Sequence, residues 1–393
     1  MLRLLVFVSL SAVVLSTEPP EPFKDHCIVG ESNQYDPSKA GQVPTFTIDL
    51  DKPPYQRWLE VGTKYKKQIG DLVAIIKGMS FPFFHGKLIH IVDKYMAPWD
   101  KIMDQPYRDE LQGMANATGL PLGEVVLYNI FYELFSVCTS IVAEDPNHNL
   151  FHARNLDFGL FLGWNPKTHD WATTEVLRTL IINLNWKKNG KLVYKSVNFA
   201  GYTGILTGVK PQAFSITLNE RFNIQGGYVG LIKWLTGSAN GAKFSAWLTR
   251  EVMEGADSYA QAYQMLTKTK VLSPVYYILG GNSTGQGALI DRSLDAVVKE
   301  SHLNPANSEN GWYVLKTNYD IGAPPLFLDD RRTPGNKCMV QLGKPNVGFK
   351  GLYNVLSSPT NMNKLTAYTA LMEVATGMLE TYIRKCPDPC WPW

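Results

Sequence analysis

The sequence predicts an α+β protein, in which an all-helical first part is followed by antiparallel strands and further helices. From residue 53 to 135, apolar side chains recur every three or four positions with charged residues between them, as in amphipathic helices. After Cys138, short runs rich in β-branched residues are separated by turn signals. No repeat, low-complexity tract or flexible linker interrupts the chain. We therefore expect helices that cover an antiparallel sandwich.

Composition excludes several classes of protein. The chain is 45% hydrophobic and 19% charged, which is too apolar for a disordered protein. The formal net charge is +3 and no block of five or six like charges occurs. A nucleic acid partner is therefore not expected, because binding to a phosphate backbone requires a basic surface.

The first 16 residues have the pattern of a signal peptide. Arg3 precedes the apolar run 4–15, and Ser16 provides a small residue at the cleavage point. The alternative, a membrane anchor, needs about 20 apolar residues, and the run stops at Glu18. Two sequons, at Asn116 and Asn282, agree with a glycosylated chain of the secretory pathway.

The helical part divides at two places. Trp58, Tyr65 and Ile76 lie on one apolar face of the first helical segment, and the aromatic cluster at 80–84 is expected to end it. Gly119 is typical of a helix C-terminus and is followed by a proline that begins the next helix, which is expected to end near 135.

The second part is predicted strand by strand. Two strands, 139–142 and 150–153, flank an Asp-Pro-Asn turn, and two more, 180–184 and 192–197, flank Asn189-Gly190, a strong hairpin signal. Further strands are expected at 214–218, 275–279, 288–291 and 312–317. Helices are expected at 229–235, 244–253 and 259–266, with a last one at 364–384.

Several kinds of active site have no support in the sequence. Four histidines lie in two pairs without the carboxylates that a metal site would add, so they are interpreted as polar or loop residues: His85 and His90, His148 and His152. No GxSxG, Walker or GxGxxG motif is present, and the glycine-rich 280–285 contains a sequon and reads as a surface turn. Neither a metal nor an organic cofactor is expected.

Five cysteines leave one thiol unpaired, since a secreted chain tends to form disulfides. Cys386 and Cys390 could close a short loop, and Cys27 could pair with Cys338, which leaves Cys138. An inert buried thiol is one interpretation of Cys138, because free cysteines are commonly buried.

The residues near Cys138 favour a reactive thiol over an inert one. If the two strands after it pair, Arg154 comes to lie beside Cys138, and Asp157 follows three residues later. A guanidinium near a thiol favours the thiolate, and a carboxylate could hold an amine. The alternative interpretation of Arg154 and Asp157 is a surface ion pair.

These blocks resemble a known family. The segment Cys-Thr-Ser-Ile-Val-Ala from 138 and the segment Arg-Asn-Leu-Asp-Phe from 154 are similar to the cysteine branch of the N-terminal nucleophile hydrolases, the choloylglycine-hydrolase-like family. Five further segments resemble its ceramide-hydrolysing members: 161–165, 217–222, 317–320, 327–334 and 386–390. The N-acylethanolamine-hydrolysing members are the alternative, and they lack the first and last of these segments. A non-catalytic lysosomal lipid-binding protein is the alternative from another class.

The resemblance implies a fold and a maturation step. The part after Cys138 would form a four-layer αββα sandwich, and self-cleavage of the Val137–Cys138 bond would separate a helical α subunit (17–137) from a catalytic β subunit (138–393). Cleavage has a chemical reason, since an internal cysteine has no α-amine and in this family that amine is the general base.

Matching positions imply the role of each site residue. Cys138 is the nucleophile, Arg154 places a guanidinium beside the sulfur, and Asp157 orients the freed amine. The remaining matches are an oxyanion donor at Asn318, a second active-site arginine at Arg331 and a carboxylate near the cleavage site at Glu220. Without the resemblance, the mixed charge run 329–332 that contains Arg331 would be interpreted as a solvated face.

The resemblance also implies covalent links, a location and partners. Cys27–Cys338 and Cys386–Cys390 would be the disulfides, and the enzyme would act in the lysosome, with secretion as a second destination. A saposin-type activator and an anionic lysosomal membrane are the expected partners besides ceramide. We expect the aromatic residues Phe81, Phe83 and Phe84 to border an apolar, membrane-facing substrate surface, although such clusters are more often core.

Overall fold

The computed structural model describes residues 19–24, 26–30, 33–84, 103–131, 136–158, 163–221, 229–306 and 310–392. The predicted signal peptide, His85 and His90 lie outside these ranges. Within them, no helix has both the length and the apolar character needed to cross a membrane.

Two large sheets form the centre of the described structure. The larger has eight strands in the order β1-β6-β7-β8-β9-β10-β11-β12, the smaller has the order β13-β2-β3-β14-β15, and β4 pairs with β5. The strands are β1 Thr45–Asp49, β2 Ser136–Glu144, β3 Leu150–Phe158, β4 Trp164–Asn165, β5 Asp170–Trp171, β6 Ile181–Lys188, β7 Lys191–Phe199, β8 Thr207–Lys210, β9 Phe214–Glu220, β10 Val275–Gly280, β11 Gly287–Arg292, β12 Val297–His302, β13 Tyr313–Lys316, β14 Thr366–Glu373 and β15 Met378–Ile383.

Among the described residues, four α-helices lie between β1 and β2, and others cover the outer sides of the two sheets. Those in the described ranges are α1 Leu59–Lys64, α2 Lys66–Phe84, α3 Tyr107–Thr118, α4 Leu122–Phe131, α5 Ala172–Arg178, α6 Val229–Leu235, α7 Ser245–Gly255, α8 Tyr259–Lys268, α9 Arg332–Leu342 and α10 Phe349–Ser357. Helices α7 and α8 contact the larger sheet, whereas α9 and α10 contact the smaller.

The inner faces of the two sheets pack against each other. Val142 and Leu150 of the smaller sheet form one buried apolar cluster with Tyr276, Ile278 and Leu289 of the larger sheet. Because successive side chains of a strand point to opposite faces, Cys138, Ser140 and Val142 share the inner face of β2. Thr139 and Ile141 point the other way, toward α9 and α10.

The helical segment before β2 packs against the part of the chain that follows it. Strand β1 pairs in parallel with β6 at the edge of the larger sheet. Trp58 at the start of α1 packs edge-on against Trp186 of β6, with ring centroids 5.7 Å apart. Glu110 of α3 forms a buried ion pair with Arg250 of α7. The largest apolar cluster therefore contains residues from both segments.

Most sequence predictions of the elements are confirmed. The hairpin at Asn189-Gly190 joins β6 to β7, and both turn residues have positive φ, 51° and 71°, which is the geometry that this dipeptide favours. Gly119 ends α3 with a φ of 72°. Trp58, Tyr65 and Ile76 are buried as predicted. The disulfides are Cys27–Cys338, with an S–S distance of 2.07 Å, and Cys386–Cys390, at 2.06 Å.

Two predicted elements are wrong. The helix expected at 364–384 is the hairpin of β14 and β15, which turns at Gly377 with a φ of 67°. Strand β14 lies between β3 and β15 and is buried on both faces, so its sequence lacks the alternation that identifies a strand. The aromatic cluster at 80–84 was expected to break the helix, but its residues are themselves helical, since α2 extends to Phe84. A proline inside a helix removes one backbone donor and can be accommodated by a kink.

Candidate active site

Strand pairing brings the predicted nucleophile, Cys138, and Arg154 together. Strands β2 and β3 are antiparallel, with Ser140 opposite Arg154 and Cys138 opposite Leu156. Arg154 Nη2 donates a hydrogen bond to Cys138 Sγ, and both side chains are completely buried. The predicted proximity of Cys138 and Arg154 is confirmed, and the surface ion pair is wrong as an interpretation of Arg154.

The guanidinium is held from its other side by the larger sheet. Arg154 Nη1 donates to the carbonyl oxygen of Leu206 at 2.6 Å and to Thr207 Oγ1 at 3.0 Å. The Thr207 hydroxyl also bonds the Tyr368 hydroxyl at 2.8 Å. Arg154 therefore spans the two sheets in one orientation, with its charge directed at the sulfur.

The backbone nitrogen of Cys138 has its own partner. It donates to Asn318 Oδ1 at 2.7 Å, and Asn318 Nδ2 donates to the backbone carbonyl of Glu220 at 2.7 Å. Thus Asn318 lies beside Cys138 as predicted, and its amide oxygen accepts from the nitrogen that the predicted cleavage would free. Its predicted donation to an oxyanion is untested, as is the predicted role of the Glu220 carboxylate.

Arg331 is the centre of a buried charge cluster. It is fully buried, and its Nη2 donates to Asn318 Oδ1 at 2.8 Å and its Nη1 to Asp157 Oδ2 at 3.3 Å. Its Nε donates to Asp329 at 2.9 Å. The solvated face that the charge run suggested is therefore wrong for Arg331. The tertiary fold, and not the run itself, decides where this side chain lies.

Burial dominates the ionisation of the site. It raises the pKa of the Cys138 thiol, and Arg154 opposes that rise without cancelling it. Burial also raises the pKa of Asp157 to about 6, with Arg331 acting in the opposite direction. The thiol is therefore protonated at acidic and neutral pH, and an activating base has to remove its proton.

Strand β9 adds a residue that the sequence analysis did not single out. Asn219 is fully buried, and its Nδ2 donates to the carbonyl oxygens of Lys316 at 3.1 Å, Thr317 at 3.4 Å and Cys138 at 3.5 Å. Asn219 precedes Glu220 in a block used for the resemblance, which was the available signal. A polar residue inside a strand gives no other sign of its partners.

Beyond the loop that carries Asn318 lies an ion pair. Asp320 accepts a forked pair of hydrogen bonds from Arg221, at 2.6 and 2.7 Å, and a third from the Tyr276 hydroxyl at 2.7 Å. These contacts lower the pKa of Asp320 to about 2, with Arg221 as the main cause. The loop that presents Asn318 is thus anchored to β9 and β10.

The remaining predicted residues lie in separate places. Val137 is in β2 opposite Asp157 and packs with Trp171 and Leu365. Asn116 and Asn282 are exposed. Phe81, Phe83 and Phe84 are in α2, and their side chains lie outside the described part, so their predicted contact with lipid stays a prediction. Among the described residues, no group of three His, Cys, Asp or Glu side chains could hold a metal ion.

Comparison with known proteins relates this site to amide hydrolysis. Residues 138–304 match the linear amide C–N hydrolases of the choloylglycine hydrolase family, and residues 41–116 match the beta subunit of N-acylethanolamine-hydrolyzing acid amidase. The acid ceramidases of Bos taurus and Homo sapiens are each 43% identical to this chain, over 99% of it and 98% of their own length. A solved Caenorhabditis elegans N-acylethanolamine-hydrolyzing acid amidase ortholog is 28% identical, with a TM-score of 0.51 over 63% of this chain and 100% of that chain.

Proposed function

The chain belongs to the acid ceramidase family, and from that premise we propose that it hydrolyses the amide bond of ceramide to a sphingoid base and a fatty acid. It is an enzyme of the linear amide hydrolase class. The observation that carries the proposal is the placement of Cys138, whose sulfur faces Arg154 and whose nitrogen faces Asn318. Both atoms that the chemistry needs are held within one buried site.

Self-cleavage would create the active nucleophile. The Cys138 thiol loses its proton, and its sulfur bonds to the Val137 carbonyl carbon. The C–N bond then breaks, and the nitrogen takes up a proton to become an α-amine. Water hydrolyses the resulting thioester, which leaves the α subunit (17–137) with a C-terminal carboxylate and restores the thiol, while the Cys27–Cys338 disulfide keeps the subunits linked. The position of this bond in β2, between Arg154 and the Asp157–Arg331 pair, supports the assignment.

Turnover would reuse the same atoms on a substrate amide. The freed amine removes the thiol proton, and the thiolate attacks the ceramide carbonyl carbon. The amine then returns the proton to the departing sphingoid nitrogen, and water hydrolyses the acyl-enzyme thioester. Arg154 stabilises the thiolate, while Asp157 and Arg331 border the amine. Asn318 is the proposed donor to the oxyanion, for which a side-chain amide elsewhere contributes about 3 to 4 kcal/mol.

At acidic pH the α-amine of Cys138 can act as a base only if its pKa is lowered. An α-amine ordinarily titrates near 7.7 to 8.0, so at lysosomal acidity it would be protonated. Full burial and the two neighbouring guanidinium groups disfavour a further positive charge, which depresses the amine pKa. We therefore propose that the enzyme works in the lysosome with an acidic but not extreme pH optimum.

The finer fold assignment agrees with this chemistry. We assign the part after Cys138 to the αββα sandwich of N-terminal nucleophile hydrolases, which the TM-score of 0.51 to the amidase ortholog supports. In that arrangement, α7 and α8 form one outer layer, α9 and α10 the other, and the nucleophile lies between the sheets at the start of β2.

N-acylethanolamine hydrolysis is the second candidate, because residues 41–116 and the solved ortholog both point to that branch. The higher identity to the ceramidases over nearly the whole chain favours ceramide. Incubating the purified, cleaved enzyme with equal concentrations of ceramide and an N-acylethanolamine tests the choice. We expect faster release of fatty acid from ceramide, with no release by Cys138→Ala. Preference for the N-acylethanolamine would overturn the ceramidase proposal, and intact amide in both would favour a lipid-binding protein.

Membrane and activator contacts follow from the substrate. Ceramide has two long chains and negligible solubility, so the enzyme has to take it from a bilayer or from a lipid-presenting protein. A saposin-type activator and an anionic membrane are the proposed partners, with glycans at Asn116 and Asn282 on the exposed surface.

A further inference from the structure

A row of buried polar side chains crosses the space between the sheets and ends at the nucleophile. His152 of β3, Thr217 and Asn219 of β9, and Ser140 of β2 are each at most 2% exposed. Thr217 Oγ1 lies 3.0 Å from His152 Nε2 and 2.9 Å from Ser140 Oγ, which lies 2.9 Å from Asn219 Oδ1. The catalytic steps proposed above make no use of His152, Thr217 or Ser140.

The hydrogen bonds in this row have only one consistent direction. The Asn219 nitrogen faces three backbone carbonyl oxygens, those of Lys316, Thr317 and Cys138, which can only accept. Its Oδ1 therefore faces Ser140, and Ser140 has to donate to it. A hydroxyl has one hydrogen, so Ser140 accepts from Thr217, and Thr217 in turn accepts from His152.

This direction of donation determines the tautomer of His152. Nε2 has to carry the hydrogen, and Nδ1 then accepts from Ser215 Oγ at 2.9 Å. Both ring nitrogens of the neutral imidazole are satisfied. Burial, with a further contribution from Arg154, lowers the pKa of His152 to about 3, so the ring stays neutral at lysosomal acidity.

We propose that His152 is a positioning residue: through Thr217 and Ser140 it fixes the side-chain amide of Asn219, which holds the carbonyl group of Cys138. The inference deepens the proposed function and rests on it. After cleavage, Cys138 is a chain end and has lost its covalent link to Val137. Its position then depends on strand pairing, on Arg154 at the sulfur, on Asn318 at the nitrogen and on Asn219 at the carbonyl.

The row predicts how its members respond to substitution. Ser140→Ala removes the hydroxyl that donates to Asn219 Oδ1, and Thr217→Val removes the hydroxyl that orients Ser140. Each change therefore loosens the Asn219 amide on its oxygen side. We expect kcat to fall about tenfold in each variant, because one hydrogen bond of ordinary strength is lost, whereas KM stays within about twofold. Because either change interrupts the same row, the double variant should lose no more than the worse single variant. His152→Phe should behave in the same way.

The experiment measures steady-state kinetics of the cleaved enzyme on ceramide. Rates are expressed per active site, counted with a thiol-directed covalent inhibitor, and Tm is recorded for every variant. Thr381→Val is the matched control, since Thr381 is a buried threonine whose hydroxyl donates to Asn183 at 2.7 Å outside the row. It should lower Tm but leave kcat unchanged. Thr217→Ser keeps the hydroxyl and should restore kcat to within about threefold.

Each result decides for or against the row. Losses in kcat that do not add, together with rescue by Thr217→Ser, support it. Unchanged kcat per active site with a Tm loss like that of Thr381→Val would reduce His152 to a structural residue. Losses that multiply in the double variant would mean that the two hydroxyls act separately. If Thr217→Val does not fold, the double variant of Ser140→Ala and His152→Phe takes its place, and the same comparison of single and double losses gives the decision. Wild-type activity on ceramide tests the proposed function separately.

Discussion

Replacing Glu110 with glutamine is expected to weaken the attachment of the α subunit to the catalytic β subunit. Glu110 is completely buried in α3 and accepts from Arg250 Nη1 and Nη2 at 2.5 and 2.7 Å, from Arg57 at 3.0 Å and from the Trp58 indole at 2.8 Å. Arg250 lies 140 residues later, on the other side of the proposed cleavage site. The pair is therefore a link between the two subunits.

The size of the effect follows from burial. Removing one partner of a buried ion pair typically costs about 3–5 kcal/mol, because the remaining charge stays desolvated. Arg250 keeps a second carboxylate, Glu254, at 2.7 Å, and its guanidinium lies 4.6 Å from the ring centre of Trp186. We therefore expect a loss of binding free energy at the lower end of this range, about 3 kcal/mol. This corresponds to a roughly hundredfold increase in the dissociation constant of the subunits.

The assay uses the cleaved enzyme without its covalent link. In a Cys27→Ser and Cys338→Ser background, size-exclusion chromatography over a dilution series measures the concentration at which the subunits separate. The matched control is Asp71→Asn, whose partner Lys67 lies at 2.6 Å but whose pair is exposed, at 83% for Lys67 and 48% for Asp71. It should change the free energy of dissociation by less than about 1 kcal/mol.

One result would refute the reasoning. If Glu110→Gln and Asp71→Asn separate at the same concentration as the parent protein, the buried pair adds nothing to subunit attachment. A Cys138→Ala precursor that carries Glu110→Gln provides a second measurement, since its urea midpoint should fall although its chain is uncut.

Three further predictions address the site and its surface. Cys138→Ala should abolish both self-cleavage and amide hydrolysis, and wild-type fragments should separate on a gel only after reduction; efficient cleavage of the variant would contradict a shared nucleophile. Because the pKa of Asp157, about 6, is above its ordinary 3.8, the folded precursor binds the proton more tightly than the unfolded chain. Asp157 should thus add stability as pH falls from 7 to about 4. In a Cys138→Ala background, Asp157→Asn should lack this contribution, and identical pH dependences of the two proteins in urea titrations would contradict it. Phe83→Ser with Phe84→Ser should lower hydrolysis of ceramide in vesicles while self-cleavage and turnover of a short soluble amide persist; joint loss with folding would identify core residues.

Short sequence motifs were sufficient to predict the elements whose conformation depends on neighbouring residues. Asn189-Gly190 defines its hairpin because few dipeptides adopt positive φ at both positions. The closeness of Cys138 and Arg154 followed from two short strands and one turn. By contrast, 366–373 shows no alternation of apolar and polar residues, because this strand lies between two others and is buried on both faces.

The rest of the site depends on contacts between distant residues. Arg331 is buried because α9 brings it to Asp157, 174 residues away. Asn318 meets Cys138 across 180 residues. The row from His152 to Asn219 consists of ordinary polar residues inside strands. Their hydrogen bonds form only because the two sheets pack face to face. No periodicity in the sequence predicts these contacts between distant residues.

Strand β1 has a consequence for how this protein can be produced. It covers the edge of β6 with five residues in parallel register, although it belongs to the segment before the cleavage site. A catalytic half made without it would present unpaired N–H and C=O groups along β6, together with the apolar surface that Trp58 covers. Such an edge is a template for pairing with other chains. Expression of 138–393 alone should therefore yield aggregates, whereas co-expression with 17–137 should yield soluble protein.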